Sequence, residues 1–167
     1  MSARTNVKWR TKCFFLVLFI TFFQPNLHAS MVLATDTSSA LISALTEVES
    51  GGDDQAIGDE HLTNKAYGCL QIRKPCVDDV NRAHGTNYRP EDCLNTRELS
   101  IWICERYIAL YATEKRLGRE PTDEDRARIW NGGPNGYKKK STEGYWRKVK
   151  KQLREQALET LDGWKAV

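Results

Sequence analysis

The chain has 167 residues, 25 of them Lys or Arg and 22 Asp or Glu, with 40% apolar and 28% charged residues. That balance supports one globular domain and excludes a disordered chain, a collagen-like repeat and a polytopic membrane protein. The net charge of +3 is concentrated at the start: Arg4, Lys8, Arg10 and Lys12 lie in residues 1–29, which hold no acid, and the remainder carries 21 basic against 22 acidic residues. A nucleic-acid partner therefore lacks electrostatic support.

Residues 1–29 read as a signal peptide. A basic start is followed by the apolar run Cys13–Phe23. Eleven residues make roughly 16 Å of helix, short of the about 30 Å of a bilayer core. Leu27-His28-Ala29 offers cleavage after Ala29, and Val32-Leu33-Ala34 offers it as late as residue 34. The expected product is a secreted or periplasmic protein with no membrane attachment after cleavage, folded as one domain over residues 35–162.

Thr35–Val48 has Leu41, Ile42, Leu45 and Val48 on one helical stripe, and Gly51-Gly52 stops it. Asp53–Lys65 is polar and irregular, a loop or short hairpin, and Ala66–Ile72 is a short apolar segment. Pro75 opens a helix to about His84, and Gly85–Asn95 is turn-rich. Arg97–Leu117 is expected to be the longest helix, with Gly118 ending it. Thr122–Asp125 is a capping box for a short helix ending near Trp130. A glycine-rich loop, Asn131–Lys140, precedes a last helix over Thr142–Leu161, whose stripe is Tyr145, Val149, Leu153, Ala157 and Leu161. The pattern predicts a mainly α, single helical domain with a small β or loop flap after the first helix.

Cys13 leaves with the leader. Cys69, Cys76, Cys93 and Cys104 form an even set in a chain bound for an oxidising compartment, so disulfides are expected, with three pairings open. Without a C-x-x-C pair the cysteines do not have zinc-ligand spacing, and the histidines have no ligand-like spacing either. No metal or cofactor is expected.

Glu49 ends the first apolar stripe, at the negative end of a helix dipole. The dipole and apolar neighbours both disfavour its ionised form, which suits a general acid. Downstream come Ala66-Tyr67-Gly68-Cys69-Leu70-Gln71-Ile72, then Trp130-Asn131-Gly132-Gly133-Pro134, then Gly144-Tyr145-Trp146. This ordered set resembles the lysozyme-like superfamily, and most closely the invertebrate-type lysozymes and related bacterial proteins. The E-S, G-x-x-Q and N-x-G order is also similar to the lytic transglycosylases. The resemblance implies an α+β lysozyme-like fold, Glu49 as general acid, Gln71 and Asn131 as hydrogen-bonding cleft residues and Tyr67 on the cleft wall. It further implies a second carboxylate some dozen residues after the first. Asp59 and Glu60 both stand near that register; Asp59, a short carboxylate after Gly58, is the one a turn fixes more readily.

Two carboxylates in different environments can protonate a leaving oxygen and stabilise an oxocarbenium-like centre. Trp130, Tyr137, Tyr145 and Trp146 cluster around the glycine-rich loop. Trp130 is a candidate for stacking on sugar, whereas Tyr145 lies on the last helix's stripe and reads as core. The basic C-terminal region either attracts anionic wall polymers or is a solvated helix face. The expected function is a monomeric enzyme cleaving peptidoglycan or a related N-acetylated polysaccharide, as a hydrolase or as a single-glutamate transglycosylase. A non-catalytic saccharide-binding protein and a disulfide-held inhibitor or wall protein are the competing classes.

Overall fold

A computed structural model of the protein describes residues 27–165; residues 1–26, which carry most of the expected leader, lie outside the described residues. Among the described residues six α-helices surround one core: α1 (Leu27–Ser50), α2 (Lys74–His84), α3 (Arg97–Tyr111), α4 (Glu114–Leu117), α5 (Asp123–Gly132) and α6 (Glu143–Lys165). Two short strands, β1 (Ile57–Gly58) and β2 (Ala66–Tyr67), form an antiparallel flap between α1 and α2. The mainly α architecture with a small flap is the one the periodicity implies.

The core is built from the stripes. Leu41, Ile42 and Leu45 of α1, Val77 and Val80 of α2, Ile103 of α3, Ile129 of α5 and Val149 of α6 are buried together with Leu70 and Ile72 from the flap segment. Each has its apolar side chain removed from water, roughly 1.5–3 kcal/mol apiece before the entropy cost is counted. α1 begins eight residues before the expected Thr35; residues 27–34 contain neither glycine nor proline to halt it.

Three further expectations change. The long helix from Arg97 breaks after Tyr111, because the Thr113 side chain accepts a hydrogen bond from the Arg116 amide (3.3 Å) and caps a separate turn, α4. Gly118, in the left-handed region, closes that turn. The α6 stripe leaves the core after Leu153: Leu158 is 60% exposed, Leu161 58% and Trp164 82%. The helix outruns the body it packs on. Finally, the four expected disulfide partners are free thiols, with Cys69, Cys93 and Cys104 buried and Cys76 partly buried. They pack in the core as small apolar residues, which is the other common use of cysteine.

The flap sits against the end of α1. Gly51 and Gly52, both with positive φ, reverse the chain there, the Gly51 amide bonding Glu47 O (2.9 Å) and the Gly52 amide Thr46 O (3.4 Å). The Ser50 hydroxyl then donates to Cys69 O (2.9 Å) and accepts from the Asp53 amide (3.0 Å). Arg97 braces the same turn through Asp54 and the Gly52 carbonyl. Tyr67 and Ile72 exchange backbone hydrogen bonds around the tight turn at residues 68–71.

Candidate active site

The last turn of α1 delivers Glu49 to the floor of a cavity of about 490 Å³ lined also by Asp59, Gln71, Arg73, Trp130 and Asn131. Five of the six residues expected at the site therefore meet in one hollow, from α1, the flap and the end of α5. Glu60 is exposed and does not line it.

Glu49 is held by one oxygen. The Tyr145 hydroxyl donates to Oε1 at 2.7 Å and the Trp130 indole N–H donates to the same atom at 3.1 Å. Oε2 has no hydrogen bond of its own among the described residues. Burial raises the Glu49 pKa above its ordinary value; the donors Tyr145 and Trp130, and then the charges of Arg73 and Lys148, act against burial without overcoming it. The Tyr145 hydroxyl is pushed up in turn, first by burial and then by the adjacent carboxylate.

Asp59 takes a left-handed backbone conformation (φ 51°), which aspartate tolerates better than most residues. Its carboxylate is paired with the Arg73 guanidinium, whose other nitrogen donates to Asn64 O (2.6 Å). Arg73 thus ties both ends of the loop between the strands to the N-cap of α2.

Gln71 is also left-handed (φ 51°), and its amide donates to Gly68 O (3.1 Å) and Ala56 O (3.4 Å). Its side chain lies across Gly58: a Cβ there would fall 2.0 Å from Gln71 Oε1. Glycine at position 58 is what lets Gln71 cross the flap at the cavity wall.

Tyr67 does not join this hollow. It lines an adjacent one, which Asn64 and Lys74 also border. Its neighbour Ala66 is buried, and the period-two alternation of a strand sends the Tyr67 side chain the other way. Three residues that shape the site escaped the sequence reading of it. Tyr145 reads as core, yet a buried phenol needs a hydrogen-bond partner, and Glu49 is that partner. Ser50 enters the sequence reading only as part of the E-S pair, with no role of its own, and Arg73 carries no sequence signal beyond its closeness to Pro75.

Among the described residues no three His, Cys, Asp or Glu side chains gather as metal ligands would, and no helix is long and apolar enough to cross a membrane.

The fold has counterparts in solved structures. The inhibitor-bound lysozyme of Meretrix lusoria superposes with a TM-score of 0.57 at 28% identity, over 67% of this chain and 87% of that one. The chain has a lysozyme-like fold. The lysozyme of Tapes japonica shares the fold, with a TM-score of 0.55 at 22% identity over 66% of this chain and 85% of that one. In sequence, Lysozyme 1 of Crassostrea virginica is 40% identical over 91 residues, 54% of this chain. The match spans about half of that relative, 47% of its length. No family model matches the chain.

Proposed function

We propose that this lysozyme-like protein is an exported glycoside hydrolase that cleaves the β-1,4 bond between N-acetylmuramic acid and N-acetylglucosamine in peptidoglycan. The observation that carries this reading is the state of Glu49. Its carboxyl is raised in pKa by burial, its Oε1 is fixed by Tyr145 and Trp130, and its Oε2 is left for a ligand in the cavity.

In this reading Glu49 donates a proton to the leaving glycosidic oxygen. Asp59, kept in place by Arg73, faces the developing positive charge on the sugar as nucleophile or electrostatic partner. Gln71 and Asn131 offer amide groups to the sugar's N-acetyl and hydroxyl substituents, and Trp130 contributes an aromatic side chain to the cavity wall. The basic, apolar leader in residues 1–29 supports export to a secreted or periplasmic location, where the wall polymer is found. The resemblance to named lysozymes supports the same activity.

The deciding experiment is digestion of purified peptidoglycan by the wild-type protein and by Glu49→Gln, with products separated by mass. Reducing-end muropeptides released by wild type alone are expected. Anhydro products would replace hydrolysis with transglycosylation, and no cleavage by wild type would leave a saccharide-binding protein.

A further inference from the structure

The hollow that takes Tyr67 has a volume of about 330 Å³ and lies beside the Glu49 cavity. Arg73 and Pro75 line the Glu49 side, and Lys74 lines the other. Across the gap, the Asn64 carbonyl accepts from Arg73, and Asn64 itself borders the second hollow. The two hollows therefore lie next to one another along residues 73–75.

The lining of the second hollow differs in chemistry from the first. Lys65, Lys74 and Arg89 contribute three cations, against the carboxylates of Asp78 and Glu91. The acids are already engaged. Asp78 holds Lys74 at 2.7 Å, and Glu91 is hydrogen-bonded to the Tyr67 side chain. Arg89 is paired with Asp92 at 2.9 Å. Lys65, half-buried, has no hydrogen-bond or ion-pair partner among the described residues. Tyr67 and Tyr88 border the same space. A neutral sugar would leave the Lys65 charge unanswered. A ligand with a carboxylate answers it with a charge-assisted hydrogen bond.

We propose that this hollow binds the peptide stem of the wall polymer, with Lys65 recognising a stem carboxylate beside the glycan held at Glu49. The inference rests on the glycan-cleavage reading of the Glu49 cavity. Stem peptides branch from the muramic acid residue and carry free carboxylates, whereas chitin oligosaccharides of the same backbone carry neither branch nor charge. The hollow would then distinguish peptide-bearing wall glycan from bare N-acetylglucosamine polymer.

The test is calorimetric titration of the full-length Glu49→Gln protein, which removes turnover. The probes are the free pentapeptide L-Ala-D-Glu-L-Lys-D-Ala-D-Ala and, separately, chitotriose. Saturable pentapeptide binding is expected, weakened about tenfold or more in a Lys65→Glu double variant, a loss of about 1.4 kcal/mol. Chitotriose binding should be unchanged by the same substitution, and Lys65→Arg should restore pentapeptide binding. Absence of pentapeptide binding overturns the proposal. So does an equal loss of chitotriose binding, which would make the hollow a sugar site. Because no readout depends on bond cleavage, failure of the glycosidase reading in the digestion experiment is distinguishable from failure here.

Discussion

The Tyr145 hydroxyl stands 2.7 Å from Glu49 Oε1, joining the first and last helices of the domain at the floor of the cavity. The two residues are 96 positions apart in sequence. With the Trp130 indole on the same oxygen, the contact fixes the carboxyl's rotation and leaves Oε2 without a hydrogen-bond partner among the described residues.

Removing the donor alone isolates its role. Tyr145→Phe deletes a hydrogen bond that favours the ionised carboxylate, so the Glu49 pKa rises further. The alkaline limb of the pH–activity profile should move to higher pH, while kcat on wall material falls because Oε1 is held by Trp130 alone. A hydrogen bond to a charged group is worth about 1.5–3 kcal/mol, so a loss of about ten- to a hundredfold is expected. An alkaline limb that stays fixed in Tyr145→Phe would disconnect this contact from proton donation.

Glu49→Gln should lose about 10²–10⁴-fold in wall cleavage, the usual contribution of a general acid. It should also change stability in a pH-dependent way. Glu49's pKa is raised from 4.5 in the folded chain, so the folded state binds that proton more tightly than the unfolded one. The stability this confers is fully present below about pH 4.5 and is lost as pH rises through the folded pKa. Glutamine can keep both acceptor bonds through its carbonyl and carries no charge to desolvate. Melting temperatures measured from pH 4 to pH 8 should therefore show Glu49→Gln above wild type at the neutral end. The gap should narrow toward pH 4.

Much of this site was legible in the sequence because its cues are local. An apolar stripe that ends at Glu49 beside two glycines specifies a helix end, and a helix end specifies a direction for the carboxyl. The capping box at Thr122–Asp125 sets where α5 starts, and so where Trp130 and Asn131 fall. What was not legible depends on pairs far apart in the chain. Tyr145 sits on an apolar stripe, and its hydroxyl acquires meaning only when α6 folds against α1. The Arg73 pair with Asp59 spans a loop whose path no periodicity describes. Tyr67 has a strand's alternation, but two residues of strand are too few to reveal which face is which. Counting cysteines could not foresee that the core would use all four as apolar filler.

Those thiols give a direct chemical readout. Burial pushes the Cys69 and Cys93 pKa values up to about 11, and those of Cys76 and Cys104 higher still. Thiolate is the reactive form, so all four should resist a thiol-specific reagent in the native state at pH 8. Unfolding in denaturant, without reductant, should expose four titratable thiols from Cys69 to Cys104. Two or none would mean that disulfides form after all.

The role of Asp59 decides the reaction type. Asparagine also tolerates the left-handed backbone at position 59, so Asp59→Asn preserves the loop while removing the charge that faces Arg73. Two effects then act on catalysis. The developing positive charge on the sugar loses its anionic partner, and Arg73, freed from its ion pair, adds an uncompensated positive charge to the same cavity. Both oppose an oxocarbenium-like transition state. A drop in kcat of about 10²-fold or more is therefore expected, with KM little changed, because the lost interaction strengthens only as charge develops. Glu60→Gln should stay near wild-type activity, since Glu60 is exposed and lies off the cavity. Arg73→Gln is the companion variant. It leaves the Asp59 carboxylate charged but untethers it, and it removes a charge that favours Glu49 ionisation. Its kcat should fall less than that of Asp59→Asn, and its alkaline limb should shift upward. Following the anomeric configuration of the first product by NMR then assigns retention or inversion. An Asp59→Asn protein that cleaves wall glycan at full rate and releases anhydro ends would instead assign the chemistry to Glu49 alone.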